Sequence, residues 1–407
     1  MTYHPYKENF LIKHNQLYIN GVSLENLSHR VGQTPFYAYD RSLLTQRMQH
    51  LRHYMPDALN IHYAIKANPM PALVQHMSTL VDGFDVASAK ELKMTLDTGM
   101  SANNISLAGP GKQISEIKQA IAAGITLNIE SKNELKVAAE QSNILGITAN
   151  IAIRINPRFE LKSAGMKMTG GSKPFGIDEE QLPDILKTLK AMNLNFKGFH
   201  IFSGSQNLKA EAIIEAQQQS FILADKLSDY YSEDISHLNI GGGFGIPYFL
   251  KDKPLDIKII ADDLAKNMAD FKKNHPTTKI IIELGRYLVG EAGIYVCKII
   301  DKKISRGKIF LIVDGGLHHH LAASGNFGQI IRKNYPIIIG NNIQNERKEI
   351  VNITGPLCTP LDILADNIEL PCSNIGDFIV VFQSGAYGYS ASPHKFLSQP
   401  DCIEVMV

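Results

Sequence analysis

Short apolar runs alternate along most of the chain with longer stretches in which apolar residues recur at helical spacing. Eight of the runs have the length and β-branched character of buried strands. They are Ile61–Lys66, Gly83–Ala87, Asn104–Ala108, Thr126–Glu130, Asn150–Asn156, Lys197–Phe202, His237–Ile240 and Lys279–Leu284. Two of the intervening helices are predicted to begin at capping boxes, because Ser88 and Ser131 are each followed three residues later by glutamate.

Successive strand-then-helix units of this number and even spacing predict an α/β fold, a (β/α)₈ barrel of the TIM type, over residues 36–285. A doubly wound open sheet uses the same units and is the main competitor. After Gly285 the strand-like segments, such as Ile294–Asp301 and Phe378–Gln383, are divided by glycine-rich turns without long helices. Residues 286–407 therefore predict a C-terminal antiparallel β domain, which residues 1–35 are expected to join. The segment Phe36–Asp40 is strand-like and could join that domain instead of the barrel.

Composition narrows the class of protein. The 407 residues carry a formal net charge of +1, with no basic stripe, so neither nucleic acid nor an anionic membrane surface is expected as a partner. No apolar run approaches the roughly 18–20 residues of a membrane span, and residues 1–10 lack a signal-peptide core. We therefore expect a cytoplasmic protein. Its four cysteines form no C-x-x-C pair, so free thiols are expected.

Titratable residues and glycines stand where the predicted strands end. Because these ends face one mouth in a barrel, they indicate an active site. The residues are Lys66, Asp85, Gly109, Glu130, Arg154, Asn156, His200, Gly241 to Gly243, Glu283 and Arg286.

Lys66, the glycine run, Glu283 and Arg286 each also have an alternative interpretation. Lys66 ends an apolar strand, where a lysine either extends to solvent or acts as a nucleophile. The glycine run at 241–243 could hold a phosphate or simply form a turn. Glu283 could keep a pyridine nitrogen protonated, and Arg286 could bind a phosphate or a carboxylate, or the two could form a structural ion pair.

Three consecutive histidines, His318 to His320, suggest a metal site at first. Adjacent residues on a strand point to opposite faces, so three in a row cannot converge on one ion. We therefore predict no metal site there.

Seven motifs in order resemble the fold-type III pyridoxal-phosphate (PLP) decarboxylases, which include diaminopimelate, ornithine and arginine decarboxylases. The motifs are Tyr63-Ala-Ile-Lys-Ala-Asn68, Phe84-Asp-Val-Ala-Ser88, Gly198-Phe-His200, Gly241-Gly-Gly-Phe-Gly245, Glu283-x-Gly-Arg286, Gly355-Pro-x-Cys358 and Gly385-Ala-Tyr387. Longer stretches, such as residues 283–293 and 314–328, resemble a subgroup associated with the exosortase-A system. That subgroup is similar to a decarboxylase of butirosin biosynthesis, which acts on a glutamyl group carried by an acyl carrier protein.

The resemblance implies an alanine racemase-like fold and a homodimer with shared active sites. It implies Lys66 as the Schiff-base lysine, His200 stacked on the cofactor ring, Glu283 at the pyridine nitrogen and Cys358 as a proton donor to the partner subunit's site. The expected cofactor-binding residues also include Asp85, Ser203, Gly241, Gly242, Gly243, Gly285, Arg286 and Tyr387. The segment 159–175 is expected to be a mobile loop.

The residue after Cys358 bears on the substrate. The diaminopimelate and ornithine enzymes place an acid there to hold a distal amine, but this chain has Thr359. An unpaired distal ammonium would be costly to desolvate, so a free diamino acid is not expected. A glutamyl-type group, either free or on an acyl carrier protein, fits better. The candidate substrate contacts are Arg286, Arg332, Thr359 and Tyr387.

Several other functions remain open at this stage. A diaminopimelate decarboxylase with an altered distal pocket is the first. A racemase is less favoured, because the racemases of this fold place arginine near the pyridine nitrogen and Glu283 is an acid. A non-catalytic PLP carrier would need neither the β domain nor Cys358, and a carrier-protein docking module would need neither Lys66 nor Glu283.

Overall fold

The computed structural model describes residues 9–160, 166–167, 169–189, 191–231, 234–249, 251–329 and 331–407. These residues divide into two compact units. The first unit comprises the described parts of residues 1–46, 247–254 and 286–407, and the second comprises those of residues 47–246 and 255–285.

The second unit is a closed barrel of eight parallel strands, because Ala149–Asn156 pairs both with the strand before it and with the strand after it. The strands are Leu59–Ala64, Gly83–Val86, Ile105–Leu107, Thr126–Ile129, Ala149–Asn156, Leu194–Ile201, His237–Gly242 and Lys279–Leu284. All eight predicted strands are present, and the predicted barrel is confirmed. The short strand Ile177–Asp178 adds to its edge, and Met166–Lys167 pairs separately with Gly204–Ser205.

Helices follow the first seven barrel strands in sequence, as the periodic apolar pattern predicts. They are Pro71–Met77, Ala89–Asp97, Ile114–Ala123, Lys132–Leu145, Leu182–Leu189, Ala210–Ser228 and Ile257–Asn274. Single 3₁₀ turns occupy Ile65–Ala67, Ala102–Asn104 and Glu179–Gln181. The helix Arg41–Tyr54 precedes the first barrel strand in the chain.

Both predicted serine caps are present. The Ser88 and Ser131 hydroxyls accept hydrogen bonds from the backbone N–H groups of Glu91 and Glu134. The two glutamates, however, accept from the backbone N–H of the residue before each serine, at 2.7 and 3.0 Å, rather than from the serine itself. A side-chain hydrogen bond thus joins the first turn of each helix to the end of the strand that precedes it.

The first unit contains an eight-stranded sheet, which is mostly antiparallel but has two parallel pairings. Its strands are Phe36–Tyr39, Gly293–Ser305, Lys308–Val313, Ile337–Ile339, Lys348–Thr354, Ile363–Pro371, Phe378–Val381 and Ile403–Met406. A small antiparallel sheet of Leu11–Lys13, Gln16–Ile19 and Val22–Ser23 and the helices Leu24–Val31 and Arg286–Val289 complete this unit, with 3₁₀ turns at Gly290–Ala292 and Phe396–Ser398. The second domain is therefore a mixed sheet rather than the purely antiparallel one expected.

The strand Phe36–Tyr39 lies in this sheet and not in the barrel. It pairs with Gly293–Ser305 on one side and with Ile403–Met406 on the other. The domain boundary predicted at residue 36 placed it with the barrel, whereas the alternative expectation that Phe36–Asp40 joins the β domain agrees with the observed pairing. Apolar side chains of Phe36, Val296 and Val380 form part of the core beneath it. Among the described residues, no helix is long and apolar enough to cross a membrane.

Candidate active site

Lys66 lies in the 3₁₀ turn Ile65–Ala67, which directly follows the first barrel strand, so the strand ends two residues before the end predicted at Lys66. Its Nζ is 3.5 Å from Glu283 Oε1 on the last barrel strand and 5.4 Å from the centre of the Phe202 ring. The side chain is 45 % exposed, so the amine is accessible to a small molecule. The turn therefore presents a primary amine beside a buried carboxylate.

Glu283 has only 5 % of its side chain exposed, and its second oxygen, Oε2, lies 3.1 Å from His200 Nε2. Burial raises the pKa of Glu283, but the Lys66 ammonium and the hydrogen bond with His200 outweigh it. Its pKa consequently lies well below the usual range. The barrel thus holds a carboxylate that is charged despite its burial.

A tight pair of loops follows the sixth and seventh barrel strands. Gly243 has φ +76°, and a Cβ there would lie 2.3 Å from the carbonyl oxygen of Gly204. Only glycine allows these two backbones to come so close. The neighbouring Ser203 hydroxyl is buried, with no hydrogen-bond partner in the part of the chain that the structure describes. Backbone crowding and an unused donor are typical of an anion-binding loop.

Asp85 belongs to a buried polar group inside the barrel. It accepts a hydrogen bond from the Ser106 hydroxyl, which in turn accepts from Asn128 Nδ2 at 3.0 Å. Its other carboxylate oxygen is 3.5 Å from His62 Nδ1. A cavity of about 30 Å³ adjoins these side chains. The supporting residues were not predicted, although polar side chains within short buried strands are a signal that could have identified Ser106 and Asn128.

A second buried ion pair joins two more of the predicted strand-end residues. Arg154 Nη1 donates to Glu130 Oε1 at 2.9 Å, and Glu130 also accepts from the backbone N–H groups of Gly109 and Gly176. Burial raises the pKa of Glu130, but Arg154 and Lys112 outweigh it, so its pKa is lowered. Of the other strand-end positions, Asn156 donates to Asp178 Oδ1 at 2.8 Å.

The first unit contains its own group of predicted site residues. Arg286 Nη1 donates to the Tyr248 hydroxyl at 2.6 Å, and its guanidinium lies 4.6 Å from the centre of the Tyr387 ring. Among the described residues, Arg286 Nε is buried without a partner. Tyr387 has a left-handed φ of +54°, a strained backbone that is often found at functional sites. Tyr248 is a partner that the sequence analysis missed.

Cys358 is an exposed thiol in a turn that Asp362 organises. The buried Asp362 carboxylate accepts from the backbone N–H groups of Leu357, at 2.9 Å, and of Leu317, at 2.6 Å. The hydroxyl of Thr359 accepts from Leu361 N at 3.3 Å, within the same turn. Asp362 was not predicted as a site residue, although it ends the same stretch, Gly355-Pro-Leu-Cys-Thr-Pro-Leu-Asp362.

Arg332 is half-buried near the same turn. Its Nη2 donates to the backbone carbonyl of Ile363, whereas its Nε has no partner among the described residues. Lys333 lies beside it in the chain, with Nζ 5.0 Å from the centre of the Phe249 ring. The predicted mobile segment 159–175 lies partly outside the described residues.

The closed barrel presents a lysine amine, a buried carboxylate and a glycine-rich loop. Barrel proteins with these groups are suited to binding a cofactor that carries an aldehyde and a phosphate. The chain belongs to the pyridoxal-dependent decarboxylases, whose pyridoxal-binding domain matches residues 41–290. It is a PLP-dependent decarboxylase of amino-acid groups, as the sequence predicts.

Two curated relatives and one solved structure illustrate the similarity. The chain is 38% identical to the L-glutamyl-[BtrI acyl-carrier protein] decarboxylase of Niallia circulans, over 92% of this chain and 89% of that one. It is 35% identical to the diaminopimelate decarboxylase of Aquifex aeolicus, over 100% of this chain and 93% of that one. The crystal structure of Helicobacter pylori diaminopimelate decarboxylase complexed with L-lysine is 28% identical, with a TM-score of 0.84 and 94% of both chains covered.

The described residues fit PLP. The cofactor needs an amine for its aldehyde, an anion for its pyridinium nitrogen and donors for its phosphate. The barrel supplies the Lys66 amine and the Glu283 carboxylate 3.5 Å apart. It also supplies the unused Ser203 hydroxyl beside the Gly243 loop and a buried, unpartnered His200 Nδ1. Each requirement is met by a residue type of suitable chemistry.

Proposed function

We propose that the chain catalyses the α-decarboxylation of a glutamyl-type amino-acid group presented on an acyl carrier protein. The barrel geometry supports the reaction type, and the turn at Cys358 supports the choice of substrate. The observation that carries the reaction is the Lys66–Glu283–His200 arrangement, with Nζ–Oε1 at 3.5 Å and Nε2–Oε2 at 3.1 Å.

When bound, PLP supplies an electron sink for the carbanion left by carbon dioxide. Lys66 would hold the cofactor through its amine, and the Glu283 carboxylate would keep a proton on the pyridine nitrogen. Since the pKa of Glu283 lies well below its usual range, it stays anionic at neutral pH. An anion at this position favours decarboxylation over racemisation, because it strengthens the electron sink.

The remaining residues would position the cofactor and substrate. We assign His200 to the face of the cofactor ring. Asp85 is assigned to the residues that line the cofactor-binding site. Phosphate contacts are assigned to Ser203, the glycines at 241–243, Gly285, Arg286 and Tyr387. Arg286 and Tyr387 would also face the substrate.

Cys358 is assigned as the donor of a proton to the α-carbon, in the active site of a partner subunit. Its exposure suits that role, because a thiol that serves another subunit must lie at the surface of its own. The homodimer that this assignment requires stays a prediction from the sequence, as does a cytoplasmic location.

The substrate assignment rests on the absence of a carboxylate at position 359. The Thr359 hydroxyl is turned to the backbone N–H of Leu361, so it offers no charge to a distal ammonium. Arg332 and its unpartnered Nε instead provide a cation near this turn, which would suit a carboxylate or the carrier's phosphate. The relative from Niallia circulans, named as an L-glutamyl-carrier-protein decarboxylase, supports this choice.

The proposal is tested with purified protein and labelled carbon dioxide release from a glutamyl thioester on an acyl carrier protein. L-glutamate, meso-diaminopimelate and L-lysine serve as competing substrates. We expect kcat/KM for the tethered group to exceed that for each free amino acid by at least 100-fold, about 2.7 kcal/mol. Preferred turnover of diaminopimelate or lysine would contradict the substrate and favour the diaminopimelate decarboxylase suggested by the Aquifex aeolicus relative.

Lys66 is tested separately. Lys66→Ala should remove the visible absorbance of the lysine-bound cofactor and abolish carbon dioxide release. Lys93→Ala is a suitable control, because Lys93 is an exposed lysine of the same unit and its ion pair with Asp97, at 3.0 Å, is exposed as well. A visible band in Lys66→Ala that survives dialysis would overturn the assignment of Lys66.

A further inference from the structure

The first unit contains two histidines and a cysteine that converge from three separate segments: His319, His394 and Cys402. One nitrogen of each ring and the Cys402 sulfur lie within 4.8 Å of one another. His319 and Cys402 are buried and His394 is half-buried. None of the three belongs to the proposed PLP site.

Hydrogen bonds fix the tautomer of both imidazoles. His319 Nε2 lies 2.8 Å from the carbonyl oxygen of Pro400, and His394 Nε2 lies 2.6 Å from that of Tyr389. A carbonyl oxygen can only accept, so each Nε2 carries the proton and each Nδ1 keeps a lone pair.

The Nδ1 atoms of His319 and His394 make few hydrogen bonds within the described residues. His394 Nδ1 is buried with no partner among the residues that the structure describes. His319 Nδ1 has a long 3.4 Å contact to the Tyr295 hydroxyl. An imidazole that donates one N–H to a backbone carbonyl and leaves the other nitrogen open is oriented as metal-binding histidines are.

We propose that His319, His394 and Cys402 form a Zn²⁺ site, with both histidines binding through Nδ1 and the cysteine through Sγ. Two imidazoles and a thiolate are ligands that Zn²⁺ prefers, and solvent can fill the fourth tetrahedral position. Zinc–nitrogen and zinc–sulfur bonds of about 2.0–2.3 Å place neighbouring ligand atoms roughly 3.4–3.7 Å apart. One nitrogen of each ring and the sulfur already lie within 4.8 Å of one another, so side-chain rotation rather than backbone movement brings both Nδ1 atoms and Sγ to these distances.

Binding changes the protonation state of the cysteine. Burial raises the pKa of the Cys402 thiol, so without metal the sulfur is protonated. Formation of the Zn–S bond releases that proton to solvent, and each histidine binds through its Nδ1 lone pair, so the proton on Nε2 stays in its hydrogen bond to a backbone carbonyl.

The proposed site uses one residue, His319, of the run His318 to His320, for which the sequence analysis predicted no metal site because three adjacent side chains cannot converge. The run lies in a turn rather than a strand, and His320 Nε2 contacts the Ser384 hydroxyl at 2.9 Å instead of joining His319. The ligands His394 and Cys402 are distant in sequence, so the spacing of the run gave no sign of them.

A metal here would join the turn at 319 to the segment before the last strand, Ile403–Met406, which pairs with Phe36–Tyr39. Because Zn²⁺ would bind the folded chain and only weakly the unfolded one, it would stabilise this edge of the sheet. The role is structural and does not depend on the proposed substrate.

The test uses the full-length, cofactor-loaded protein, stripped with a chelator and titrated with Zn²⁺ against a chromophoric competitor. We expect one ion per chain, with one sulfur and two nitrogen neighbours in the zinc X-ray absorption spectrum. Cys402→Ser and His394→Gln should each weaken zinc affinity at least tenfold. Cys372→Ser and His53→Gln change a thiol and an imidazole outside the cluster and should bind zinc as the unaltered chain does.

Circular dichroism and the cofactor absorbance verify that each variant is folded. His394 is only half-buried, so His394→Gln keeps the test decisive if Cys402→Ser fails to fold. Failure to retain zinc above background, or equal zinc affinity in the wild-type chain and His394→Gln, would overturn the proposed site.

Discussion

His200 Nε2 lies 3.1 Å from Glu283 Oε2, with only 2% and 5% of the two side chains exposed. The other Glu283 oxygen faces Lys66 Nζ at 3.5 Å. Burial raises the pKa of Glu283, but Lys66 and His200 outweigh it and lower the pKa. A carboxylate this deep in a barrel is therefore kept charged by its two neighbours, which is the state required beside a pyridinium nitrogen.

Replacing Glu283 by glutamine removes the charge and preserves the shape of the side chain. We expect kcat for carbon dioxide release to fall by about 100- to 1000-fold, the usual cost of one preorganised electrostatic contact. The cofactor should still bind, because Lys66 is retained. Glu369→Gln, in an exposed pair with Lys348, is the matched control and should leave kcat unchanged. An unchanged kcat in Glu283→Gln would remove this carboxylate from the mechanism.

Glu130 should make the stability of the chain depend on pH. Its folded pKa is lowered below the ordinary 4.5, because Arg154 and Lys112 outweigh the effect of burial. Its stabilising contribution is therefore complete above about pH 4.5 and is lost as the pH falls from there toward the folded pKa.

We expect Glu130→Gln to lower the free energy of unfolding near pH 7 by about 3–5 kcal/mol, since Arg154 is left buried without its partner. The difference from wild type should shrink below pH 4.5. Urea denaturation between pH 3.5 and 7 measures it. A difference that grew as the pH fell would contradict the lowered pKa of Glu130.

The barrel could be predicted because its sequence signal, a short apolar run followed by a helical pattern, is repeated along the chain. Eight separate apolar runs each predicted a strand, all eight strands are present, and their number and even spacing favoured a closed barrel over an open sheet. Serines 88 and 131 marked two helix starts through local chemistry. The strand Phe36–Tyr39 could not be assigned in the same way. Its partners, Gly293–Ser305 and Ile403–Met406, lie more than 250 residues away in the chain, and no local pattern records such a pairing.

The convergence of candidate residues was predictable where a residue stands at the end of a strand. Lys66, His200 and Glu283 were expected to lie together because barrel strand ends share one mouth, and they do. Asp362 was not, since its task is to accept two backbone N–H groups, and those bonds exist only after the turn has folded. Tyr248 was missed for a similar reason, because its contact with Arg286 joins residues 38 positions apart.

Asp362 should act as a positioning residue for Cys358. In Asp362→Asn an amide N–H₂ must face one of the two backbone donors, Leu317 or Leu357, so at least one hydrogen bond is lost. We expect the free energy of unfolding to fall by about 1–3 kcal/mol. We also expect kcat to fall with little change in KM, because the thiol is displaced while the barrel is unaltered. Asp366→Asn, at an exposed acid nearby, should change neither quantity; a selective rise in KM in Asp362→Asn would contradict the positioning role.

Position 359 should decide which substrates are accepted. Thr359→Glu introduces the carboxylate that a distal ammonium needs, and Thr359→Gln adds nearly the same volume without the charge. We expect Thr359→Glu to raise the ratio of kcat/KM for L-lysine over the glutamyl thioester by about 10- to 100-fold, or 1.4–2.7 kcal/mol. The glutamine variant should leave this ratio within about threefold of wild type, because size alone offers the ammonium no partner. If both variants shift the ratio equally, the pocket selects by shape, and the charge at residue 359 does not explain the substrate.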